Sequence, residues 1–371
     1  MKMNKLKPLF LAGLSVTLLS GCWDQKLLKN TVFMSATAFQ VKSEDEVLVT
    51  TSIHTYTTKE QRPVNKTYSV VAKSSRDAKI KLNQEASGFL MTAKNKIFLL
   101  QDDLAKKGLL QFADVLYRTP ESPLNGKFIV VEKDPKAILE LQKVGDELIG
   151  ENLSGLIKTM EIESTVPTET IQSICTILFD EGKGLMLPYM KLNESNQAAE
   201  VAGAALFHKD KFTGVTVNTD QTKLLLALSN KRNKAMMIND TIPFKDEQLT
   251  VSYEISHSKG KLKIEKDGLN KVKVKLPFKA ELDIMEFPHD RLYEKNVLEN
   301  LQKGIEKKLQ QNVEEAISII QEANCDYLGI GRELIAYHPE LWKELDWDKD
   351  YPEISIEPDV SVEIVHHGII N

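Results

Sequence analysis

Cys22 is the residue whose setting points most clearly to a chemical modification, because its thiol directly follows Leu19-Ser20-Gly21 at the end of an apolar run. Three lysines within the first seven residues precede that run, which extends from residue 9 to residue 19. The run is shorter than the roughly 20 apolar residues that span a bilayer. A basic start followed by a short apolar stretch is instead typical of a secretory signal peptide. The sequence therefore predicts export, with a cysteine thiol at the processing site.

The segment Leu19-Ser20-Gly21-Cys22 resembles the lipobox of bacterial lipoproteins. In that class the cysteine thiol is alkylated with diacylglycerol, the chain is cut before the cysteine, and the new amino terminus is acylated. The resemblance implies a signal peptide over residues 1–21 and lipid attachment at Cys22. Two or three acyl chains would anchor the protein stably, because each buried CH2 contributes about 0.8 kcal/mol. A fully secreted protein and an uncleaved apolar anchor are the alternatives.

Four carboxylates near the C-terminus have the spacing of a calcium-binding loop. Asp346, Asp348 and Asp350 alternate along the chain, and Glu357 stands at the twelfth position. However, Tyr351 occupies the position where such a loop needs glycine for its sharp turn. We therefore interpret the segment as an acidic, solvated loop before a strand.

Other chemical motifs give no catalytic site. Of the seven histidines, only His366 and His367 are adjacent, and neighbours on a strand point to opposite faces. The sequence has no Gly-x-Ser-x-Gly elbow, zinc-protease helix or Cys-x-x-Cys pair. We predict no catalytic residue, no cofactor and no metal site, and thus a protein that is not an enzyme.

The charge balance argues against nucleic acid as a partner. The net charge of −5 becomes −8 when residues 1–21 are removed with their three lysines. Export would place the remaining cysteines, Cys175 and Cys325, in an oxidising compartment. A disulfide between them and two buried free thiols are both open at this point.

The first half of the chain alternates short apolar strands with helices that have one apolar face. Strands are predicted over residues 32–41, 47–54, 96–100 and 128–131, and helices from Ser75, over 103–116, from Asp134-Pro135 and over 169–179. This alternation predicts an N-terminal α/β domain over residues 22–195. The polar segment 193–197 predicts a linker. A hairpin over 201–217 and a helix from Thr219 then predict a middle domain over 196–245, either alone or together with N-terminal strands.

The second half changes period. Apolar residues alternate from Leu249 to Ile284, which predicts an antiparallel meander with one buried face. Residues 294–323 carry a helical apolar stripe that needs to be covered, by the meander or by a partner's helix. A last strand pair is predicted at 354–356 and 360–365. These elements predict a C-terminal domain over residues 246–371 and a three-domain α+β protein overall, with the meander packed on the long helix.

The polar face of the meander is rich in lysine. Its members are Lys261, Lys263, Lys271, Lys273 and Lys275. A solvated sheet face or guarded edge is the favoured interpretation. Contact with anionic lipid head groups is the alternative.

Several segments resemble, in their order along the chain, the Ger(x)C family, the lipoprotein C subunits of spore nutrient-germinant receptors. The matching segments are Gly21 to Asp24, the hairpin from Gly203 to Gly214, Asp326 to Gly331, His338 to Trp342, Trp347 to Pro352, and Gly368.

The resemblance implies a non-catalytic, three-domain α+β subunit on the outer face of the spore's inner membrane. Its expected partners are the two membrane-spanning receptor subunits of the A and B types, and its expected role is in nutrient-triggered germination. Direct binding of a germinant by this subunit is left open. The alternative function is a solute-binding lipoprotein of an envelope transporter, an architecture that usually has two repeated α/β lobes around a cleft.

Overall fold

The fold was analysed in a computed structural model. It describes residues 31–56, 63–86, 88–193, 195, 197–245, 247–267, 271–289 and 291–368, and of residues 55, 56, 63, 267 and 271 only the backbone. Cys22 and the predicted signal peptide over residues 1–21 lie outside this part of the chain.

The first sheet is mixed and contains nine described strands in the order β11-β10-β9-β6-β5-β1-β2-β3, with β4 beside β1. The strands are β1 (Thr31–Val41), β2 (Val47–Tyr56), β3 (Pro63–Ala72), β4 (Phe89–Met91), β5 (Ile97–Gln101), β6 (Lys127–Val131), β9 (Leu185–Asn193), β10 (Ala198–His208) and β11 (Lys211–Val217). The central strands β1, β5, β6 and β9 pair in parallel. Strands β5 and β6 are buried along almost their whole length, as expected where helices cover both faces of a parallel sheet.

Helices cover both faces of this sheet, as the alternation in the sequence predicts. They are α1 (Ser75–Glu85), α2 (Asp102–Lys107), α3 (Leu110–Tyr117), α4 (Pro135–Glu140), α5 (Ile149–Ile162) and α6 (Ile171–Leu178), and a small ladder of β7 (Lys143–Val144) with β8 (Glu147–Leu148) precedes α5. The single helix predicted over 103–116 is wrong. The chain forms α2 and α3 instead, because Gly108 at φ 128° interrupts the helical backbone.

The linker predicted at residues 193–197 is also wrong. Strands β9 and β10 pair antiparallel from Asn193 with Ala198 to Leu185 with Phe207, so the segment connects two neighbouring strands of one sheet and not two domains. Polar residues mark tight turns as well as linkers, and the local sequence does not separate the two. Strands β10 and β11 therefore share the sheet with the N-terminal strands. The domain boundaries at 195 and 245 stay a prediction.

The second sheet has the order β12-β13-β15-β14, with β16 beside β15. Its strands are β12 (Met237–Phe244), β13 (Glu247–Gly260), β14 (Lys263–Asp267), β15 (Lys271–Glu286) and β16 (Ser355–His366). The antiparallel meander is confirmed. The predicted last strand pair is wrong, since β16 is one continuous strand parallel to β15. Pro358 lies within β16, where it is tolerated because this strand pairs on one side only.

The long helix α8 (Lys295–Glu322) packs on this sheet with α7 (Thr219–Leu228) beside it. Leu301, Leu309 and Val313 on its apolar stripe are fully buried in one core with the inward residues of the meander. The mixed α+β fold and the packing of the meander on the long helix are confirmed. Three short helices follow before β16, namely α9 (Ile330–Tyr337), α10 (Pro339–Glu344) and α11 (Trp347–Asp350).

Strands β9 to β11 connect the cores of the two sheets. Leu206 on β10 packs in the core of the second sheet, whereas the next residue, Phe207, packs in a core of the first sheet. The two halves of the chain therefore meet at β10, and the segment after α8 adds further contacts between them.

Candidate functional site

The segment after the long helix carries most of the residues that resemble the C-terminal family signature. We call residues 324–351 the clasp segment, because it holds the C-terminal half of the chain against the first sheet. The turn begins at Asn324 (φ 48°) and passes through the buried residues Cys325, Asp326 and Tyr327. Gly329 has φ 79°, a left-handed conformation that favours glycine, and α9 begins directly after it.

Asp326 caps the start of α9 from inside the protein. One carboxylate oxygen accepts hydrogen bonds from the backbone N–H groups of Gly329 (2.8 Å) and Ile330 (2.9 Å). The other oxygen accepts from the N–H of Gly331 (2.7 Å). The first N–H groups of a helix have no partner within the helix, so this carboxylate satisfies donors that burial would otherwise leave unpaired.

The charge on Asp326 is costly at this position. Burial raises the pKa of the Asp326 carboxyl to about 6, although the three backbone hydrogen bonds and the nearby Lys183 ammonium act in the opposite direction. Burial likewise lowers the pKa of Lys183, and the neighbouring cations Lys231 and Arg332 lower it further. The clasp segment therefore contains a carboxylate whose protonation is coupled to folding.

The loop between α6 and β9 forms the first half of the contact with the clasp segment. The N–H of Gly184 donates to the Asp326 carbonyl oxygen at 2.7 Å, and the N–H of Arg332 donates to the Gly182 carbonyl oxygen at 2.9 Å. The Arg332 guanidinium also donates from Nε to Asp180 at 2.7 Å. A Cβ on Gly182 would lie 2.3 Å from the backbone nitrogen of Arg332, so only glycine permits this approach.

The turn between β10 and β11 makes the second set of contacts with the clasp segment. Nδ1 of His208 lies 2.7 Å from the carbonyl oxygen of Asn324, which accepts its proton. Nε2 of the same ring lies 3.5 Å from the Asp348 carboxylate, which also pairs with Lys209. The Asn324 side chain donates to the Asp348 carbonyl oxygen at 2.7 Å. The hairpin turn is therefore fixed to both ends of the clasp segment.

Aromatic residues fill the space between these polar contacts. The ring of Trp347 lies 5.5 Å from that of Trp342 and 5.4 Å from that of Tyr351, measured between centroids. The Tyr351 hydroxyl donates to the Cys325 carbonyl oxygen at 3.1 Å. Between the clasp segment and the first sheet lies a cleft of about 800 Å³.

The side chains of the clasp segment and of its partners on the first sheet do not form a nucleophile-and-base pair. Burial raises the pKa of the Cys325 thiol to about 12, so it stays protonated, and its sulfur donates to the Leu185 carbonyl oxygen at 3.5 Å. Both ring nitrogens of His208 face clasp residues. Cys175 and Cys325 are both free thiols. The arrangement can hold two halves of the chain in a fixed orientation.

The structure gives the carboxylates with calcium-loop spacing separate partners. These are Lys349 for Asp346, Lys209 for Asp348, the backbone N–H of Asp346 for Asp350, and Lys273 for Glu357. Within the part of the chain that the structure describes, no three His, Cys, Asp or Glu side chains gather as a metal site. His366 and His367 lie at the end of β16 and just beyond it.

The lysine-rich face is partly neutralised by its own sheet. Lys273 pairs with Glu357 at 2.7 Å, and Lys275 pairs with Glu265 at 2.9 Å. These pairs support the interpretation as a solvated face. Contact with anionic lipid head groups stays a hypothesis.

Sequence reasoning missed the partners of the clasp segment on the first sheet, namely Asp180, Gly182, Gly184 and His208. A signal was present in the pattern Gly182-Lys183-Gly184 directly before a buried strand. Two glycines around one residue at a strand start indicate a close approach of another backbone.

The fold defines a class of protein in which a clasp segment joins a mixed sheet to a second sheet, an antiparallel meander with one added parallel strand, that packs on a long helix. The sequence matches two family models, "Spore germination protein N-terminal domain" over residues 24–192 and "Spore germination B3/ GerAC like, C-terminal" over residues 202–368. Together the two models cover most of the chain. The chain therefore belongs to the Ger(x)C family of spore germination proteins.

Curated relatives and a solved structure agree with this assignment. "Spore germination protein KC" of Bacillus subtilis (strain 168) is 22% identical over an alignment 389 positions long, which covers 96% of this chain and 95% of that protein. "Putative spore germination protein YfkR" of the same organism is 21% identical, with 93% of each chain covered. The fold is similar to the crystal structure of the GerBC protein, with a TM-score of 0.58 and 16% identity over 89% of this chain and 97% of that one.

Among the helices that the structure describes, none is both long enough and apolar enough to cross a bilayer.

Proposed function

We propose that this protein is a lipid-anchored, non-catalytic subunit of a spore germinant receptor. It works on the outer face of the membrane through contacts with membrane-spanning subunits of the A and B types. The observation that carries the proposal is the family match along the chain, which begins at residue 24, two residues after Cys22 in the lipobox-like segment.

The position of the anchor supports a role through protein contacts. Thr31, the first residue of β1, follows Cys22 by nine residues, so a fully extended connection reaches at most about 30 Å. A lipid on Cys22 would keep the folded part within that distance of the membrane surface. Confinement of this kind raises the effective concentration for weak contacts, toward the millimolar range.

The clasp segment supports the same role. It joins the two halves of the chain through backbone hydrogen bonds of Asp326 with Gly184 and of Arg332 with Gly182, and through the contact of His208 with Asn324. A subunit that contacts two membrane proteins at once needs its two halves to keep a fixed orientation. The solute-binding alternative predicts two repeated lobes, whereas the described sheets differ in topology.

A strain that lacks the gene, complemented with wild-type, Cys22→Ala or Cys175→Ala protein, tests the proposal. Deletion is expected to impair nutrient-triggered germination with spore yield unchanged. Cys22→Ala protein is expected to leave the membrane fraction and to fail to restore germination. Cys175→Ala, which alters a cysteine outside the lipobox-like segment, is the matched control and is expected to restore it. Unchanged germination after deletion, with Cys22→Ala protein still in the membrane fraction, would contradict the proposal.

A further inference from the structure

The connection from Cys22 enters the first sheet at one end. Thr31 begins β1, and strands β4, β5 and β6 run in the same direction as β1, so all four strands begin at this end. We call it the entry end of the first sheet. Strand β1 has 11 residues and spans roughly 35 Å, whereas the connection from Cys22 reaches at most about 30 Å. A lipid on Cys22 therefore cannot hold the protein upright with the opposite end of the sheet against the bilayer.

An exposed aromatic side chain lies at the tip of the entry end. Phe89 on β4 is the register partner of Thr31 on β1, and 65% of its surface is exposed. Its neighbour Leu90 is buried, because successive side chains of a strand point to opposite sides. Phe89 thus lies beside the point where the connection from Cys22 arrives. A single exposed phenylalanine is common on protein surfaces, so its position has to be weighed together with the charges around it.

The two ends of the first sheet differ in charge. The five residues that precede each of β4, β5 and β6 contain two lysines, Lys94 and Lys96, and one carboxylate, Glu85. The five residues that follow each of β1, β5 and β6 contain seven carboxylates and four lysines. The entry end is therefore the more basic of the two. An anionic lipid surface would attract the entry end and repel the opposite end.

The two lysines of the entry end are available for such a contact. Both side chains are exposed, and neither forms an ion pair with a carboxylate of a described residue. The backbone N–H of Lys96 donates to the Ser35 carbonyl oxygen at 3.3 Å, so Lys96 is level with a residue four positions along β1 from Thr31. Four positions correspond to about 13 Å, of which the long lysine side chain can cover a part. The remaining distance is comparable with the Debye length of about 8 Å at physiological ionic strength.

We infer that the entry end of the first sheet is a membrane-contacting face. Phe89 enters the head-group region, and Lys94 and Lys96 lie over the phosphates of anionic lipids. The inference rests on the proposed lipid anchor at Cys22, and it adds an orientation in which β1 points away from the bilayer. These contacts are individually weak, and the anchor makes them effective by holding the face close to the surface.

A single alkyl chain on Cys22 makes the contribution of this face measurable. The chain from Cys22 to Asn371 is prepared with Cys175→Ala, and Cys22 is coupled to a maleimide that carries one alkyl chain. Cys325 is buried and does not compete for the reagent. One such chain gives only marginal, reversible binding, with an association constant of about 10⁴ M⁻¹, so further contacts change that constant directly. Association is measured by sedimentation with vesicles of phosphatidylcholine alone, or of phosphatidylcholine and phosphatidylglycerol in equal parts.

Two changes at the entry end are expected to weaken association in different ways. Phe89→Ala is expected to weaken it about fivefold with both kinds of vesicle, because the exposed ring no longer leaves water. Phe89→Trp, which keeps a large ring suited to the interface, is expected to associate at least as strongly as the unaltered chain. Lys94→Gln together with Lys96→Gln is expected to weaken association about tenfold with the anionic vesicles and less than about twofold with the neutral ones.

Matched variants elsewhere in the chain are the controls. Tyr293→Ala removes an aromatic side chain that is 60% exposed, before the long helix. Lys261→Gln together with Lys263→Gln removes two exposed lysines from the meander. Each control is expected to associate within about twofold of the unaltered chain. Urea unfolding reports that each variant is folded, as expected for changes at exposed positions.

Three results would overturn the inference. They are unchanged association of Phe89→Ala, unchanged association of the Lys94 and Lys96 variant with anionic vesicles, and a control variant that weakens association as much as either. Because the alkyl chain is attached chemically, none of these results depends on whether the cell lipidates Cys22. Failure here therefore removes the membrane-contacting face and leaves the proposed receptor role standing.

Discussion

Replacing Asp326 with asparagine removes the titrating group at the centre of the clasp segment. Burial raises the pKa of this carboxyl from an ordinary 3.8 to about 6 in the folded protein. The folded state then binds the proton more tightly than the unfolded chain, so wild-type stability increases as the pH falls from about 6 toward 4. One pH unit corresponds to about 1.4 kcal/mol, so the whole interval is about 3 kcal/mol, of which about 2 kcal/mol develops between pH 7.5 and pH 4.5.

Urea unfolding of wild type and Asp326→Asn across this pH range isolates the effect, because all other groups titrate in both proteins. The difference in unfolding free energy is expected to shift by about 2 kcal/mol in favour of the wild type on going from pH 7.5 to pH 4.5. Asp359→Asn, at an exposed position on β16, is the control, with an expected effect within about 0.5 kcal/mol. A difference that is flat with pH, or that favours the variant at low pH, would refute this description of Asp326.

Three further substitutions test the packing, and one labelling experiment tests the buried thiol. Gly182→Ala is expected to lower the free energy of unfolding by about 2–3 kcal/mol, because the new Cβ would meet the backbone of Arg332. Gly155→Ala, on a helix with open space around the new methyl, is expected to raise it by about 0.5–1 kcal/mol, and equal effects would argue against the close approach. Leu309→Ala in the long helix is expected to cost about 2–5 kcal/mol in urea unfolding, and a cost below about 1 kcal/mol would contradict its burial. Cys325 is expected to resist iodoacetamide at pH 8 until urea unfolds the chain, so rapid labelling of the native protein would contradict the raised thiol pKa.

The regular elements of the second half were predictable because their signals are local. The alternation from Leu249 to Ile284 reports a strand with one buried face, and the apolar stripe from residue 298 to residue 320 reports a helix. Each pattern repeats often enough to identify the element from its own residues. The packing of one on the other then follows from the need to cover both apolar faces.

Contacts between distant parts of the chain were not predictable in the same way. The hydrogen bond from Arg332 to Gly182 and the contact of His208 with Asn324 join segments that are far apart in the chain. Nothing in the sequence of one segment identifies the other as its partner. The polar residues 193–197 fit a linker and a hairpin turn equally well, and only the register of β9 with β10 decides between them. Strand β3 was missed because its alternation of Tyr68 and Val70 with polar residues is short.

The burial of Asn95 illustrates a further limit of sequence reasoning. Asn95 lies in a loop rich in polar residues, where an asparagine is ordinary. Its complete burial and its hydrogen bond to Thr37 on β1 involve a segment that is distant in the sequence, so the local pattern gives no sign of them.

The central claim is that the protein is a lipid-anchored receptor subunit, and the most direct measurement is co-purification from spore inner membranes. Affinity-tagged wild-type protein is isolated in mild detergent, and its partners are identified by mass spectrometry, with Cys22→Ala protein from matched spores as the control. The account predicts that the wild-type protein carries diacylglycerol on Cys22 and co-purifies with membrane-spanning receptor subunits. The Cys22→Ala variant is expected to be depleted from the membrane, to carry no diacylglycerol and to co-purify with none of these subunits. Wild-type protein that carries no lipid on Cys22 and isolates without membrane-spanning partners would contradict the account.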